Sequence, residues 1–237
     1  MKLFIRALAR EAEFRAAALS ASRGGETSTL YFGGGTPSML SDTHLGNLME
    51  SLDRLIPVDS LDEFSFEANP ATFTEKKVRF WRSLGMNRVS LGVQSLDARI
   101  LRLLGREHTP EQALRSVEML HNAGMPHVNM DLIAGLPADT PEGFRRSLDK
   151  CLELGADDIT IHTLALKKGS RILTEGLRIP GAETVAEMLD YASPTLRTAG
   201  YRPYYLYRQK YMSGSFENIG WCRSGGECWL SLIHISE

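Results

Sequence analysis

Apolar residues recur along this chain with two periods that take turns. Ile5, Leu8, Ala12, Ala16 and Leu19 follow the spacing of one helix face and predict a helix over residues 3–20, which Arg23-Gly24-Gly25 ends. Thr29–Phe32 predicts a strand that feeds a glycine-rich stretch. Ser41 suits the N-cap of a helix carrying Leu45, Leu48, Leu52 and Leu55, closed by Pro57. Glu63–Glu67 alternates, with Phe64 and Phe66 on one side and Glu63, Ser65 and Glu67 on the other, the pattern of a strand. Thr74 caps the next helix (Val78, Trp81, Leu84), and Gly85 takes its C-terminal position. Arg88–Gln94 alternates again. A short helix with Ile100, Leu103 and Leu104 follows, and then Thr109-Pro110-Glu111-Gln112 forms a capping box before Ala113, Val117 and Leu120. His127–Ile133 predicts a strand, Thr140-Pro141-Glu142 opens a helix bearing Phe144, Leu148 and Cys151, and Asp158–Leu166 predicts another strand. Residues 182–199 read as a helix that Pro194 should kink or split. Pro203–Tyr207 is a sixth strand; from Arg208 onward the periodicity fades.

Strand, loop and helix thus repeat, which predicts an α/β fold with a parallel sheet and helices outside. Ligands of such folds sit at the carboxyl ends of the strands. Those ends carry Gly34-Gly35-Thr36, Glu67, Gln94, Asp131 and Ala165. Glu67, Gln94 and Asp131 lie in the strand phase opposite the bulky apolar one, so they point into a barrel mouth if the apolar phase packs on the helices. In Tyr31–Ser38, three glycines and Thr36-Pro37 make a rigid loop with exposed backbone groups. No Walker lysine follows, and the dinucleotide spacing is not met. Each feature has a plainer alternative. The glycines suit an ordinary turn, Glu67 or Asp131 a helix cap or a surface ion pair, Gln94 a barrel filling, and Arg106 a solvated loop. Taken together, acceptors from consecutive strands suit an amino group and ribose hydroxyls, and Arg106 suits a carboxylate. S-adenosylmethionine offers all three groups and is one option among several nucleotides.

Composition narrows the class. The 237 residues fit one large α/β domain or two small ones, and 43% apolar with 24% charged residues is the balance of a globular chain with a sizeable core. A net charge of −2 gives no argument for nucleic acid or an anionic membrane. No apolar run approaches the length of a membrane span of about 18 residues. Arg6, Arg10, Glu11 and Glu13 interrupt any signal-peptide layout, which favours the cytosol. Three cysteines, Cys151, Cys222 and Cys228, are too few and too odd for a disulfide framework. Cys151 reads as core, and the other two lack a His or third Cys with which to make a metal site.

Five stretches carry a resemblance. Tyr31–Ser38 (YFGGGTPS), Phe66–Pro70 (FEANP), Arg88–Ser95 (RVSLGVQS), Leu104–His108 (LGREH) and Asn129–Pro137 (NMDLIAGLP) resemble, in order, the radical SAM enzymes of the oxygen-independent coproporphyrinogen III oxidase family. The similarity covers roughly residues 5–228, and Pro203–Gly220 is closer to the coproporphyrinogen dehydrogenase branch than to the heme-chaperone branch. The resemblance implies a partial (β/α)6 barrel holding S-adenosylmethionine against a [4Fe–4S] cluster that takes electrons from a donor. It implies a radical that abstracts hydrogen from a propionate of coproporphyrinogen III, ending in loss of carbon dioxide and a vinyl group. Gly34, Gly35, Thr36, Glu67, Gln94, Arg106, Asp131 and Ala165 fall on the family's S-adenosylmethionine contacts. The glycine loop would hold the methionine end and Arg106 its carboxylate; Glu67, Gln94 and Asp131 would hold the amine or ribose. For the tetrapyrrole, Lys167, Lys168, Arg171, Arg202, Arg208 and Lys210 could meet carboxylates, and Tyr204, Tyr205 and Tyr207 a flat face.

The chain departs from the family in two places. The family's C-x-x-x-C-x-x-C cluster motif occurs nowhere in this sequence. Residues 3–20 resemble the helix that follows that loop, so the first strand and cluster loop are expected upstream of Met1, and an unpaired edge beside Thr29–Phe32 is expected to lower solubility. The organisation expected is a partial barrel over residues 1–207, the start of a family-specific segment over 208–229, and a tail over 230–237. That tail, LSLIHISE, resembles translated sequencing-adapter read-through.

Overall fold

The computed structural model describes residues 1–22, 27–166, 169–208 and 213–233. In chain order the elements are α1 (Lys2–Ser22), β1 (Thr29–Phe32), α2 (Asp42–Asp53), β2 (Glu63–Ala68), α3 (Glu75–Ser83), β3 (Arg88–Gln94), α4 (Ala98–Leu103) and α5 (Pro110–Asn122). They continue with β4 (His127–Ala134), α6 (Pro141–Glu153), β5 (Asp158–Thr163), α7 (Arg171–Thr174), α8 (Ala182–Thr198), β6 (Arg202–Tyr207), β7 (Asn218–Cys222) and α9 (Trp229–Ile233). The expected end of the first helix at Arg23-Gly24-Gly25, and Lys167, Lys168 and Lys210, lie outside the described residues.

The helices begin where their caps place them. Ser41, Thr74, Thr109 and Thr140 each accept a backbone N–H of the first turn, and Gln112 completes a capping box with Thr109. α8 runs unbroken through Pro194, contrary to the expected split. Proline removes one intrahelical hydrogen bond, and Val185, Met188, Ala192 and Leu196, all buried on one face of α8, hold the helix across that gap.

The seven strands form one sheet in the order β1-β2-β3-β4-β5-β7-β6. β1 to β5 pair in parallel; β7 runs antiparallel to both β5 and β6. The sheet is therefore the partial barrel expected, parallel from β1 to β5 and antiparallel only where β7 and β6 are added at one edge. β7 comes from the stretch where periodicity faded, because NIGWC is short and carries a glycine that accommodates Tyr204: a Cβ on Gly220 would lie 3.0 Å from that ring. Strand β5 stops at Thr163, three residues short of the expected end.

Strand phase decides the layers. Phe64, Phe66, Val89, Leu91, Val128, Met130, Ile159 and Ile161 face outward and are buried with Leu45, Trp81, Val117, Leu148 and Cys151 of the helices. The opposite phase lines the concave side and is polar along its length. At the N-terminal strand ends it carries Glu63, Arg88 and Asp158. Arg88 Nε donates to Glu63 Oε2 at 3.0 Å, Nη1 pairs with Asp158, and Nη2 donates to the carbonyls of Gly226 (2.9 Å) and Glu227 (3.0 Å). That end is closed by an ion cluster and the chain segment it holds. Among the described residues, no helix is long and apolar enough to cross a membrane.

Candidate functional site

At the other end of the strands the chain turns through Gly33–Thr36. Gly34 and Gly35 have φ of 74° and 62°, a region that penalises a Cβ. Gly33 is constrained by contact instead: a Cβ there would lie 2.5 Å from Tyr31 Cε1 and 2.8 Å from Glu67 Oε1. Asn69, just past β2, ties the loop down. Its side chain donates to Thr36 Oγ1 at 3.3 Å and its N–H to Ser38 Oγ at 3.2 Å, while Lys77 Nζ donates to the Ser38 carbonyl at 2.6 Å.

Both carboxylates of the site are pre-oriented. Glu67 accepts the Tyr31 hydroxyl at 2.7 Å on Oε1 and the Gly34 N–H at 3.1 Å on Oε2. Burial, reinforced by Glu67, pushes the Tyr31 phenol well above its ordinary value, so it stays a donor. Asp131 accepts Ser90 Oγ at 3.1 Å on Oδ2 and Asn129 Nδ2 at 2.7 Å on Oδ1. Asn129 is fixed in turn: it donates to Ser90 Oγ at 2.8 Å and accepts Thr160 Oγ1 at 3.0 Å. His162 Nε2 stands 3.6 Å from Asp131 Oδ1. A carboxylate has about four lone-pair positions, so each of these oxygens retains capacity for a ligand donor.

Gln94 ends β3 in the left-handed region, φ 68°, at a register shift against β4. Glycine at 92 leaves it room, since a Cβ there would meet Gln94 Nε2 at 2.8 Å and Asn69 Oδ1 at 3.2 Å. Arg106 sits on the loop after α4. Buried His108 anchors that loop, with Nε2 3.3 Å from the Val93 carbonyl at the end of β3. Burial lowers the Arg106 pKa and Asp131 opposes the shift; an arginine nevertheless stays cationic. Among the described residues the Arg106 guanidinium has neither an ion pair nor a hydrogen bond.

A cavity of about 290 Å³ brings together Gly35, Thr36, Glu67, Gln94, Arg106 and Asp131, with Asn69, Ser90 and Gly92 between them. Six of the eight residues singled out in the sequence meet there. Gly34 does not: its N–H is spent on Glu67, and it lines an apolar groove against α1. Ala165 lies beyond β5, half-buried, and lines neither cavity. A second polar lobe of about 210 Å³ shares Glu67, Ser90 and Asp131 and continues along the concave face past Thr160, His162 and Tyr204. Tyr31, Asn69, His108 and His162 also shape the site and were not among the candidates singled out in the sequence. His162 was within reach of the strand-phase argument; Asn69 and His108 act through loop hydrogen bonds that no periodicity shows.

A family model described as the Radical SAM superfamily matches residues 7–151. The chain belongs to that superfamily. Its radical SAM relatives include the oxygen-independent coproporphyrinogen-III oxidase-like protein HemZ of Bacillus subtilis, 34% identical over 216 residues, covering 90% of this chain and 43% of that protein. Heme chaperone HemW of Mycobacterium tuberculosis is 32% identical over 230 residues, 95% of this chain and 55% of the other. These relatives place it in the coproporphyrinogen oxidase-like family. The radical SAM coproporphyrinogen III oxidase HemN of Escherichia coli superposes with a TM-score of 0.80 over 99% of this chain and 51% of that one; at 24% identity it shows the shared half-barrel. The chain spans about half the length of the curated relatives it matches.

Membership implies S-adenosylmethionine and a [4Fe–4S] cluster. The donor set suits the first: an unpaired cation and two carboxylates with free lone pairs line one cavity. The cysteines do not suit the second. Cys151, Cys222 and Cys228 are all buried. Cys151 sits in the helix-side core, and Cys228 donates to Glu63 at 3.3 Å, at the end of the half-barrel away from the glycine loop. Among the described residues no group of His, Cys, Asp and Glu is arranged to hold a metal.

Proposed function

We propose that the cavity between the glycine loop and Asp131 binds S-adenosylmethionine, and that the longer protein acts in the cytoplasm as a radical SAM oxidoreductase on coproporphyrinogen III, converting propionates to vinyl groups. The observation that carries the binding reading is the convergence of Thr36, Glu67, Gln94, Arg106 and Asp131 on one cavity, with the cation unpaired among the described residues. Arg106 pairs with the ligand carboxylate, Glu67 and Gln94 hold its amine, and Asp131 holds ribose hydroxyls. Gly35 lets the ligand approach the backbone. Glu67 and Asp131 need no reorganisation on binding because Tyr31, Gly34, Ser90 and Asn129 already orient them.

Calorimetric titration of this chain with S-adenosylmethionine tests the binding reading. Arg106→Met should weaken binding by about tenfold or more, the loss expected when a charge-assisted hydrogen bond is removed. No binding by the unmodified chain, or equal binding by the variant, would overturn it. Substrate turnover has to be measured on the longer protein, under anaerobic conditions, as vinyl product from coproporphyrinogen III.

The similarity to HemW favours a second reading, a heme-binding chaperone without oxidase activity. Tight heme binding by the longer protein, with no vinyl product, would select it. Arg202 and Arg208 lie on or next to strand β6, where the Tyr205 and Tyr207 rings stack at 6.4 Å. Either tetrapyrrole would use that face.

A further inference from the structure

We propose that His162 and Asp131 form a clamp that reads a ligand hydroxyl, one of the two hydroxyls of the nucleoside ribose. The proposal rests on the reading of the cavity as a nucleoside site and adds to it a residue from the adjoining lobe.

The geometry of the gap carries the argument. Nε2 of His162 and Oδ1 of Asp131 are 3.6 Å apart, beyond a hydrogen bond. The carboxylate is not free to close that distance, because Ser90 Oγ and Asn129 Nδ2 each hold one of its oxygens and Thr160 fixes Asn129. The carboxylate side of the gap is therefore fixed. An oxygen can lie about 2.8 Å from both atoms, to one side of the line between them. It must donate to the carboxylate and, with the imidazole proton on Nε2, accept from the ring. An ammonium has no lone pair for the imidazole, and a carboxylate or phosphate has no proton for Asp131 and is repelled by it. A hydroxyl satisfies both partners. Access is open: the side chains of His162 and Asp131 are 39% and 21% exposed.

Position points to ribose. Asp131 belongs to both lobes, whereas His162 lines only the one that leads away from Arg106 and the glycine loop. A ligand anchored by its carboxylate at Arg106, with its amine at Glu67, leaves its sugar for the Asp131 side of the boundary between them.

The test is calorimetric titration of the chain with S-adenosylmethionine and with its 2′-deoxy and 3′-deoxy analogues, for the unmodified protein, His162→Phe and His162→Gln. A site that hydrogen-bonds a hydroxyl rejects the analogue lacking it, so the unmodified protein should bind one deoxy analogue about tenfold or more weakly than the parent ligand. In His162→Phe the parent ligand should weaken by about that factor and the discriminated analogue by less than about twofold, so that discrimination collapses. His162→Gln, which keeps a donor, should retain most of it. Equal weakening of all three ligands by His162→Phe, unchanged binding of all three, or no discrimination by the unmodified protein would each overturn the clamp. If S-adenosylmethionine itself fails to bind the unmodified protein, the cavity reading falls and the clamp with it. If it binds but discrimination is independent of residue 162, only the clamp falls. Should His162→Phe misfold, the Gln variant and the analogue series on the unmodified protein still decide.

Discussion

Removing one oxygen atom tests whether the site is pre-organised. In Tyr31→Phe the ring remains and the hydroxyl that donates to Glu67 Oε1 at 2.7 Å is lost. A hydrogen bond to a charged group is worth about 1.5–3 kcal/mol. Glu67 is half-buried, and water can replace part of the bond, so the low end applies and the variant should lose about 1.5 kcal/mol of stability. In a Glu67→Ala background the same change should cost almost nothing, because the phenol then has no carboxylate to serve. The cycle should give a coupling of about 1–1.5 kcal/mol. Ligand binding should follow. With only the Gly34 N–H holding Oε2, the carboxylate must be re-ordered by the ligand, and affinity for S-adenosylmethionine should fall about three- to tenfold. Since Tyr31 ionises only well above its ordinary value, both effects should be constant between about pH 6 and 9. Urea titrations of the four proteins give the cycle, and calorimetry gives the affinities. Equal cost of Tyr31→Phe in both backgrounds would refute the pairing. Lost stability with unchanged affinity would refute its role in orienting the site.

Gln94 holds a left-handed backbone, so Gln94→Gly should be more stable than Gln94→Ala by about 1 kcal/mol in urea unfolding, while both weaken ligand binding. Arg88→Met leaves Glu63 and Asp158 buried without their cation; it should cost about 3–5 kcal/mol and expose the segment around Gly226–Trp229 to limited proteolysis. Burial raises the Asp139 carboxyl from 3.8 to about 6, against the Thr140 N–H and nearby Arg99 and Arg146, with Asp97 reinforcing the rise. The folded state thus holds a proton that the unfolded chain releases. The stabilisation is complete below the unfolded pKa of about 4 and is lost as pH rises through about 6, by about 1–2 kcal/mol after allowance for solvent screening. Asp139→Asn should flatten that decline in urea midpoints measured from pH 4 to 7.

Long periodic stretches were legible because local and tertiary preferences agree in them. The Thr109–Gln112 capping box, the Phe64/Phe66 alternation and Gly85, Gly124 and Gly155 after α3, α5 and α6 all specify what the packed structure needs. The convergence of Glu67, Gln94 and Asp131 was also legible, because period-2 phase in a parallel sheet brings every strand's last polar residue to one mouth. What escaped depends on partners distant in sequence. β7 owes its place to β5 and β6, whose paired residues lie about 60 and about 15 residues away along the chain. Pro194 is overridden by core contacts of α8. Gly34 and Ala165 were singled out as strand-end residues and by the family resemblance, and neither says that the N–H of Gly34 turns to Glu67 or that β5 stops before Ala165.

The concave face also shows why residue type alone could not separate structure from function here. β2 carries Glu63 and Glu67 in the same phase, and β5 carries Asp158 and His162. The N-terminal members are tied into the ion cluster, although Asp158 Oδ1 is buried there with no partner among the described residues. Glu63 accepts from Arg88, Ser65, Cys228 and the Trp229 N–H, and Asp158 pairs with Arg88. The C-terminal members have partners too, but those partners occupy only part of their capacity. Glu67 keeps lone pairs beyond Tyr31 and Gly34, and His162 Nε2 stands 3.6 Å from Asp131 Oδ1, just beyond hydrogen-bond reach. Burying a charge is tolerated only when partners compensate it. A carboxylate that is oriented but not saturated is stable only where solvent or a ligand completes it. The open end of the half-barrel meets that condition, whereas Asp158 Oδ1 is left without a partner behind the plug, so unsatisfied capacity that solvent can reach, rather than residue identity, marks the binding side of this sheet.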